Sequence, residues 1–223
     1  MLTIYHMPGS RSSRPVWAAE ELQVPYETVI IHRIDLKLPD YLAINPLGTS
    51  PAIRDDGMGM HESCAIVGYI ADRYDTEHRI SPPNDSLERG PYLQWLHFAE
   101  ASFWPLTAAY LGATGRMGGE RNEAAMATAK ERIGNVLNYI DNVLAARPYI
   151  AADRFTAADI AVYWNIMIGK MIGAIDDSER KNIQAYGARI QERPAYKTAM
   201  AMPENWVNQA PGSVPTPPVK RLS

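Results

Sequence analysis

The stretch Met7-Pro-Gly-Ser-Arg-Ser-Ser-Arg-Pro15 crowds hydroxyls and guanidinium groups into one short segment. Pro15 suits a first helical turn, where its missing N–H forfeits no hydrogen bond, so Ser13 or Arg14 is the expected cap. Ser10 and Ser12 then stand just ahead of backbone N–H groups at the positive end of a helix, a setting that favours anions and thiolates. A hydroxyl there can donate to sulfur; the alternative is that these serines only cap the helix. In Asn45-Pro-Leu-Gly-Thr-Ser-Pro51 the chain is broken ahead of a strand, and Ser50-Pro51 is a candidate cis peptide, with an ordinary turn as the alternative. The cis form would turn the N–H and C=O of Ser50 outward, where an extended peptide can pair with them.

Two further segments place polar residues at helix starts. In His61-Glu-Ser-Cys-Ala-Ile66, the Ser63 hydroxyl and N–H can hold a carboxylate while Glu62 holds an ammonium, so that one end of an amino acid is gripped. Complementing the helix dipole is the plainer use of both residues. Phe155-Thr-Ala-Ala-Asp159 sets Thr three residues ahead of Asp, a capping box that assigns Thr156 and Asp159 to folding. Other chemistries lack their residues. Gly57-Met-Gly59 has no third glycine for a pyrophosphate cradle, position 65 is Ala where a zinc-protease helix beginning His61-Glu62 needs a second imidazole, and no nucleophile elbow or phosphate loop occurs. The five histidines are scattered, so no metal site is expected.

The elements that must position these residues follow from periodicity. Residues 2–5 and 27–31 read as strands around a helix containing Trp17-Ala-Ala-Glu-Glu-Leu22, residues 39–44 as a short helix, and 52–54 and 58–60 as a hairpin across Asp55-Asp-Gly57. Ala65, Ile66, Tyr69, Ile70 and Tyr74 fall on one helical face. The result is a βαβ unit followed by ββα over residues 1–75, then a proline-containing linker over 76–85. Ile133, Val136, Leu137, Ile140, Val143 and Leu144 recur at helical spacing, so residues 86–209 are expected to form an all-helical domain. Pro211, Pro215, Pro217 and Pro218 make 210–223 an extended or mobile tail.

Composition agrees with this α/β plus all-α plan. A length of 223 residues suits two small domains, and 46% hydrophobic against 21% charged residues is the balance of a soluble globular protein. A net charge of −3 gives no field for phosphate backbones or anionic lipid, so nucleic acid and membrane are not expected partners. One cysteine, Cys64, permits no internal disulfide and no Cys-x-x-Cys pair. With no apolar run long enough to span a bilayer and no secretory design at Met1-Leu-Thr-Ile-Tyr-His, a cytoplasmic location is the expectation.

In this order, Asn45-Pro-Leu-Gly with Pro51, Glu62-Ser63-Cys-Ala-Ile66 and the box from Thr156 to Asp159 resemble the soluble glutathione S-transferase superfamily, in a bacterial-looking, theta- or delta-like form. The similarity runs over roughly residues 2–200 and is specific as an ordered combination. It implies a thioredoxin-like N-terminal domain, a helical C-terminal domain, a homodimer, and glutathione as co-substrate. It also makes the cis form of Ser50-Pro51 the expected one. Carried over by position, Ser50 would bond the cysteinyl part of glutathione, Glu62 and Ser63 its γ-glutamyl end, and Ser10 its sulfur, with Arg11 and Ser12 as rival activators. Thr49 departs from the pattern, since many relatives carry Lys or Gln there toward the glycyl carboxylate; the alternatives are a grip on that end from His32, Arg33 or Lys37, or a weaker grip.

The expected chemistry is modest in energy. Lowering a thiol from its usual ~8.5 by about two units, worth ~2.7 kcal/mol, would ionise most of it at neutral pH. One charge-assisted hydrogen bond plus a helix dipole is of that size. The thiolate would then attack a small hydrophobic electrophile in a detoxifying transfer, with a pocket expected between the domains and drawn from Met7, Phe103, Trp104, Tyr110, Tyr163, Trp164 and Met167. A glutathione-dependent isomerase, ether-cleaving lyase or dehalogenase would use the same thiolate, and a non-catalytic binding protein would keep only the fold.

Overall fold

Leu2 and Ile4 flank Thr3 in the alternation of a strand, and both bury completely in β1 (Leu2–His6). β1 lies inside a four-stranded sheet of order β2-β1-β3-β4. β2 (Tyr26–Ile30) runs parallel to it, which requires a crossover, and α1 (Ser13–Leu22) supplies one. β3 (Ala52–Asp55) and β4 (Met58–His61) are antiparallel, with Ile4 opposite Ile53 and Ile53 opposite Met60. The hairpin between them turns at Asp56 and Gly57, both at positive φ (48° and 88°), the pair of conformations that Asp-Gly adopts most readily. The computed structural model describes residues 1–201. The proline-rich stretch expected to form a tail lies outside them.

Three local expectations shift. α1 begins one residue earlier than the proline implied: Ser12 is the N-cap, and Pro15 is the third helical residue, still among those whose N–H has no acceptor within the helix. α2 is a single turn, Pro39–Leu42. α3 (Ser63–Tyr74) buries Ser63, Cys64, Ile66, Val67, Ile70 and Ala71, whereas Ala65 is exposed and Tyr69 half-buried; the inward stripe is rotated from the expected one. The Ser50-Pro51 peptide is cis.

The chain divides into two compact units, Met1–Tyr74 with the segment from Pro194, and Asp75–Arg193. The expected division gave residues 86–209 to the helical domain. Instead α9 (Pro194–Met200) packs on α1, where the Tyr196 ring meets the buried Trp17 indole edge-on at 5.1 Å. An aromatic pair outweighs sequence adjacency here. The expected linker is also ordered. The Asp75 carboxylate accepts hydrogen bonds from the N–H groups of Arg79, Ile80 and Ser81 and from the Ser81 hydroxyl, at 2.6 to 3.0 Å. Ile80 is buried and its carbonyl accepts from Ala157 N–H at 2.7 Å.

The helical unit holds α4 (Arg89–Phe98), α5 (Trp104–Ala113), α6 (Glu123–Ala146), α7 (Ala157–Met171) and α8 (Lys181–Gln191). A π-helical turn, Ala99–Phe103, joins α4 to α5. Pro105 explains it, because a proline's ring and missing N–H disrupt the preceding α-helical turn. Asn165, fully buried on α7, donates to the Ala99 carbonyl at 2.7 Å, which also accepts Trp104 N–H, so this carbonyl of the irregular turn serves two donors. α6 buries Ile133, Leu137, Ile140 and Leu144 and leaves Val136 and Val143 part-covered. α7 is buried almost throughout and starts with the capping box of Thr156 and Asp159. No helix among the described residues is long and apolar enough to cross a membrane.

Candidate functional site

The loop from β1 to α1 is drawn tight by its own backbone, with Ser10 N–H donating to the Met7 carbonyl and Ser13 N–H to the Ser10 carbonyl, both at 3.1 Å. Gly9, at φ 74°, makes the turn that a side chain would strain. Inside the loop sits the Ser12 hydroxyl, on a residue with no exposed surface. It accepts from Met7 N–H at 2.9 Å, donates to the Met7 carbonyl at 2.9 Å, and lies 2.8 Å from His6 Nδ1 and 2.9 Å from Ser10 Oγ. As N-cap it makes no capping bond. Burial holds the His6 imidazole well below its usual range, at about 4, with the Ser12 hydrogen bond opposing part of that shift. His6 is therefore neutral near pH 7.

Ser10 differs from Ser12 in exposure. It is half-buried, accepts from Ser12 N–H at 3.2 Å, and reaches Ser50 Oγ at 3.3 Å across the loops. Arg11 beside it is also half-buried. Ser50 and Pro51 are buried, and Thr49 is exposed. The Thr49 carbonyl accepts from the Tyr41 hydroxyl at 2.5 Å and from Asn45 Nδ2 at 2.7 Å, and the same amide reaches Thr49 Oγ1 at 3.1 Å. Asn45 has no exposed surface. Its side chain thus fixes the segment that presents Ser50. Burial pushes the Tyr41 phenol up to about 12, so it stays a donor.

Arg14 is wholly buried in α1, and its Nη1 donates to Ser63 Oγ at 2.8 Å, with Cys64 Sγ at 3.7 Å. A guanidinium cannot accept, so the Ser63 oxygen is the acceptor of this bond and the Ser63 hydrogen is left to donate elsewhere. The α3 ladder starts with Ile66 N–H donating to the Glu62 carbonyl, which leaves the earlier N–H groups directed off the helix end. Glu62 itself is exposed and held at φ 76°, a conformation a glutamate adopts only under local constraint. Ser10, Ser50, Glu62 and Ser63 are thus each set on an ordered loop or helix start, with Arg14 tying α1 to α3. His32 and Lys37 flank the short turn at Asp35, whose carboxylate accepts from His32 N–H at 2.7 Å.

The apolar candidates fall into two groups. Met7 is half-buried against the cluster of Tyr5, Ile31, Leu36, Tyr41, Ile44 and Ala52. In the helical unit, Trp104 and Met167 keep some surface, with the Trp104 ring 5.6 Å from the buried Trp164. Phe103, Tyr110 and Tyr163 are buried: Phe103 packs near Phe98, and the Tyr163 hydroxyl accepts from Gln191 Nε2 at 2.6 Å. Sequence reading passed over His6, Tyr41 and Asn45 as site residues and used Arg14 only as a landmark. Arg14 carried a faint signal, a charged residue directly ahead of the apolar run Pro15-Val-Trp-Ala-Ala19; a buried neutral histidine carries none.

Comparison with known proteins places this arrangement. Residues 4–78 match the family described as glutathione S-transferase, N-terminal domain, and residues 97–194 the glutathione S-transferase C-terminal domain. Glutathione S-transferase 3 of Schizosaccharomyces pombe is 33% identical over 215 residues, covering 89% of this chain and 86% of that protein. Glutathione S-transferase F10 of Arabidopsis thaliana is 30% identical over 208 residues, covering 90% and 97%. The crystal structure of the glutathione transferase URE2P8 from Phanerochaete chrysosporium, with oxidised glutathione, superposes with a TM-score of 0.81 at 27% identity, covering 89% and 92%. Glutathione as co-substrate fits these matches. A thioredoxin-like unit bearing a serine-lined loop, followed by a helical unit, and sharing both domains with these proteins, belongs to the glutathione S-transferase family.

Proposed function

We propose that the chain is a glutathione transferase that joins the glutathione thiolate to a small hydrophobic electrophile, in the manner of the theta and delta forms. The observation that carries this reading is the setting of Ser10: a half-exposed hydroxyl at the start of α1 whose oxygen accepts from Ser12 N–H and lies 2.9 Å from Ser12 Oγ and 3.3 Å from Ser50 Oγ. Such a hydroxyl donates to a sulfur anion at the positive end of a helix, and each increment of about 1.4 kcal/mol lowers the thiol pKa by about one unit. Ser50 would bond the cysteinyl part of the tripeptide. Ser63, its oxygen held by Arg14, would donate to the γ-glutamyl carboxylate, and Glu62 would accept from the γ-glutamyl ammonium. Proton loss on binding and a fixed thiolate then do the catalytic work by activation and proximity, with no covalent enzyme intermediate.

Met7 in the first unit, and Trp104 and Met167 in the helical unit, are the proposed apolar contacts because each keeps surface, whereas Phe103, Tyr110 and Tyr163 are buried within the helical unit. We assign the chain to the cytoplasm and to detoxification on the same reading. A homodimer is proposed through the groove of about 570 Å³ lined by Met60, Ala65, Gly68, Tyr69, Asp72 and Arg73, a mixed apolar and polar face of the kind that two-fold pairing buries against its own copy. Light scattering tests it: a mass near twice 24.8 kDa supports the pairing, and a monomer removes it. For the chemistry, Ser10→Ala should abolish the ultraviolet thiolate absorbance of bound glutathione while binding persists. An unchanged absorbance would move the role to Ser12, Arg11 or a backbone N–H.

A further inference from the structure

The Ser12 oxygen has more neighbours than a hydroxyl can serve. One proton and two lone pairs face four groups: Met7 N–H, the Met7 carbonyl, His6 Nδ1 and Ser10 Oγ. Met7 N–H can only donate, so it fills one lone pair. What fills the other decides the direction of every remaining proton. If His6 carries its hydrogen on Nε2, then Nδ1 takes the Ser12 proton, the free lone pair of Ser12 faces the Ser10 hydroxyl, and the Ser10 proton is drawn inward. If His6 carries its hydrogen on Nδ1, both Ser12 lone pairs are occupied and Ser10 has no acceptor on that side.

We infer that His6 is a positioning residue in its Nδ1–H form: together with Met7 N–H it fills both lone pairs of Ser12 Oγ, so that the Ser10 proton finds no acceptor there and is reserved for the substrate sulfur. The two spacings are 2.8 Å and 2.9 Å, both ordinary hydrogen bonds. The Ser12 hydroxyl spends its own proton on the Met7 carbonyl at 2.9 Å, and Ser12 N–H donates to Ser10 Oγ at 3.2 Å, so the Ser10 hydrogen points away from Ser12. Its resting acceptor is Ser50 Oγ at 3.3 Å, long for a bond between hydroxyls and easily given up to a better acceptor. The buried imidazole, neutral near pH 7, keeps one ring hydrogen for this purpose across the working range. The inference rests on the reading of Ser10 as thiol activator and adds to it what holds the Ser10 proton outward.

The test has two arms on the full-length protein. Long-range proton–nitrogen NMR of the unliganded protein at pH 7 reads the His6 tautomer directly: Nδ1 protonated supports the inference, and Nε2 protonated overturns it whatever Ser10 does. The second arm is the pH titration of the thiolate absorbance of bound glutathione in His6→Leu and His6→Asn, both checked for a native circular dichroism spectrum. His6→Leu should raise the bound thiol pKa by about half a unit, roughly a threefold loss of thiolate below it, and His6→Asn, whose amide restores an N–H near the Nδ1 position, should recover most of the loss. Equal titrations in all three proteins, or equal shifts in both variants, would overturn the inference. An Nδ1-protonated His6 with a thiolate signal indifferent to Ser10→Ala would instead bring down the activator reading on which this inference rests.

Discussion

Two helix starts in this molecule carry hydroxyl and carboxylate groups in similar density and use them in opposite ways. At α7, the Asp159 carboxylate accepts from the N–H groups of Ile150 and Thr156, from the Thr156 hydroxyl and from the Tyr186 hydroxyl, at 2.7 to 3.2 Å, and the residue has no exposed surface. Every group is consumed internally. At α1 the N-cap Ser12 makes no capping bond, its hydroxyl is spent on the loop behind it, and the half-exposed Ser10 hydroxyl meets only other hydroxyls, Ser12 Oγ at 2.9 Å and Ser50 Oγ at 3.3 Å. A helix start closed by its own side chains holds a fold together. One whose supports are buried, but whose outermost donor is left over, is equipped to hold something else.

Breaking the closed end should cost the most. Asp159→Ala removes an acceptor from four donors in a buried site, and the expected loss is about 3–5 kcal/mol, read as a fall in the urea midpoint of the helical unit. A loss below about 1 kcal/mol would mean that solvent or rearranged neighbours satisfy those donors, and the contrast between the two helix starts would fail.

Acid should move the two regions in opposite directions. Below about pH 6.5 the unfolded chain protonates His6, while the folded protein refuses that proton until about 4, so the stability His6 gives the first unit is lost as pH falls through this range. Burial raises Asp159 from 3.8 to about 6 against the pull of its hydrogen bonds, so its contribution is fully present below about 4 and lost as pH rises toward 6. Each displacement corresponds to roughly 3 kcal/mol over its full range. Hydrogen exchange of β1 and α7 amides at pH 4.5 and 6.5, corrected for intrinsic rates, should show β1 loosening and α7 tightening on acidification. Parallel changes in both would contradict the assignment.

The open end should respond more mildly in stability. Ser12→Ala strands Met7 N–H and the His6 ring and should cost about 1–3 kcal/mol. Ser10→Ala, at a half-exposed position, should stay within about 0.5 kcal/mol of the parent in denaturant while losing the thiolate. If Ser10 proved as costly to stability as Ser12, its hydroxyl would be structural and the comparison would dissolve.

Legibility in the sequence follows the same division. Period-two and period-3.6 patterns marked β1 to β4 and the long helices, since those patterns are imposed by burial of one face. The Thr156 to Asp159 box was readable because both partners lie three residues apart. Arg14 and Ser63 are 49 residues apart, and Ser10 and Ser50 are 40 apart, so their pairing depends on how strands and helices assemble and leaves no local trace. The rotation of α3, with Ala65 outward, and the return of α9 to Trp17 were hidden for the same reason: an apolar residue does not say which surface covers it. His6 was invisible as a participant, because its role rests on one ring nitrogen facing one hydroxyl.

The most direct measurement is the pH titration of the ultraviolet thiolate absorbance of glutathione bound to the unmodified protein. A bound thiol pKa near about 6.5, some two units below the free value, is the result expected from a donated Ser10 proton at the α1 dipole. A value unchanged from that of free glutathione, with binding shown by calorimetry, would contradict it.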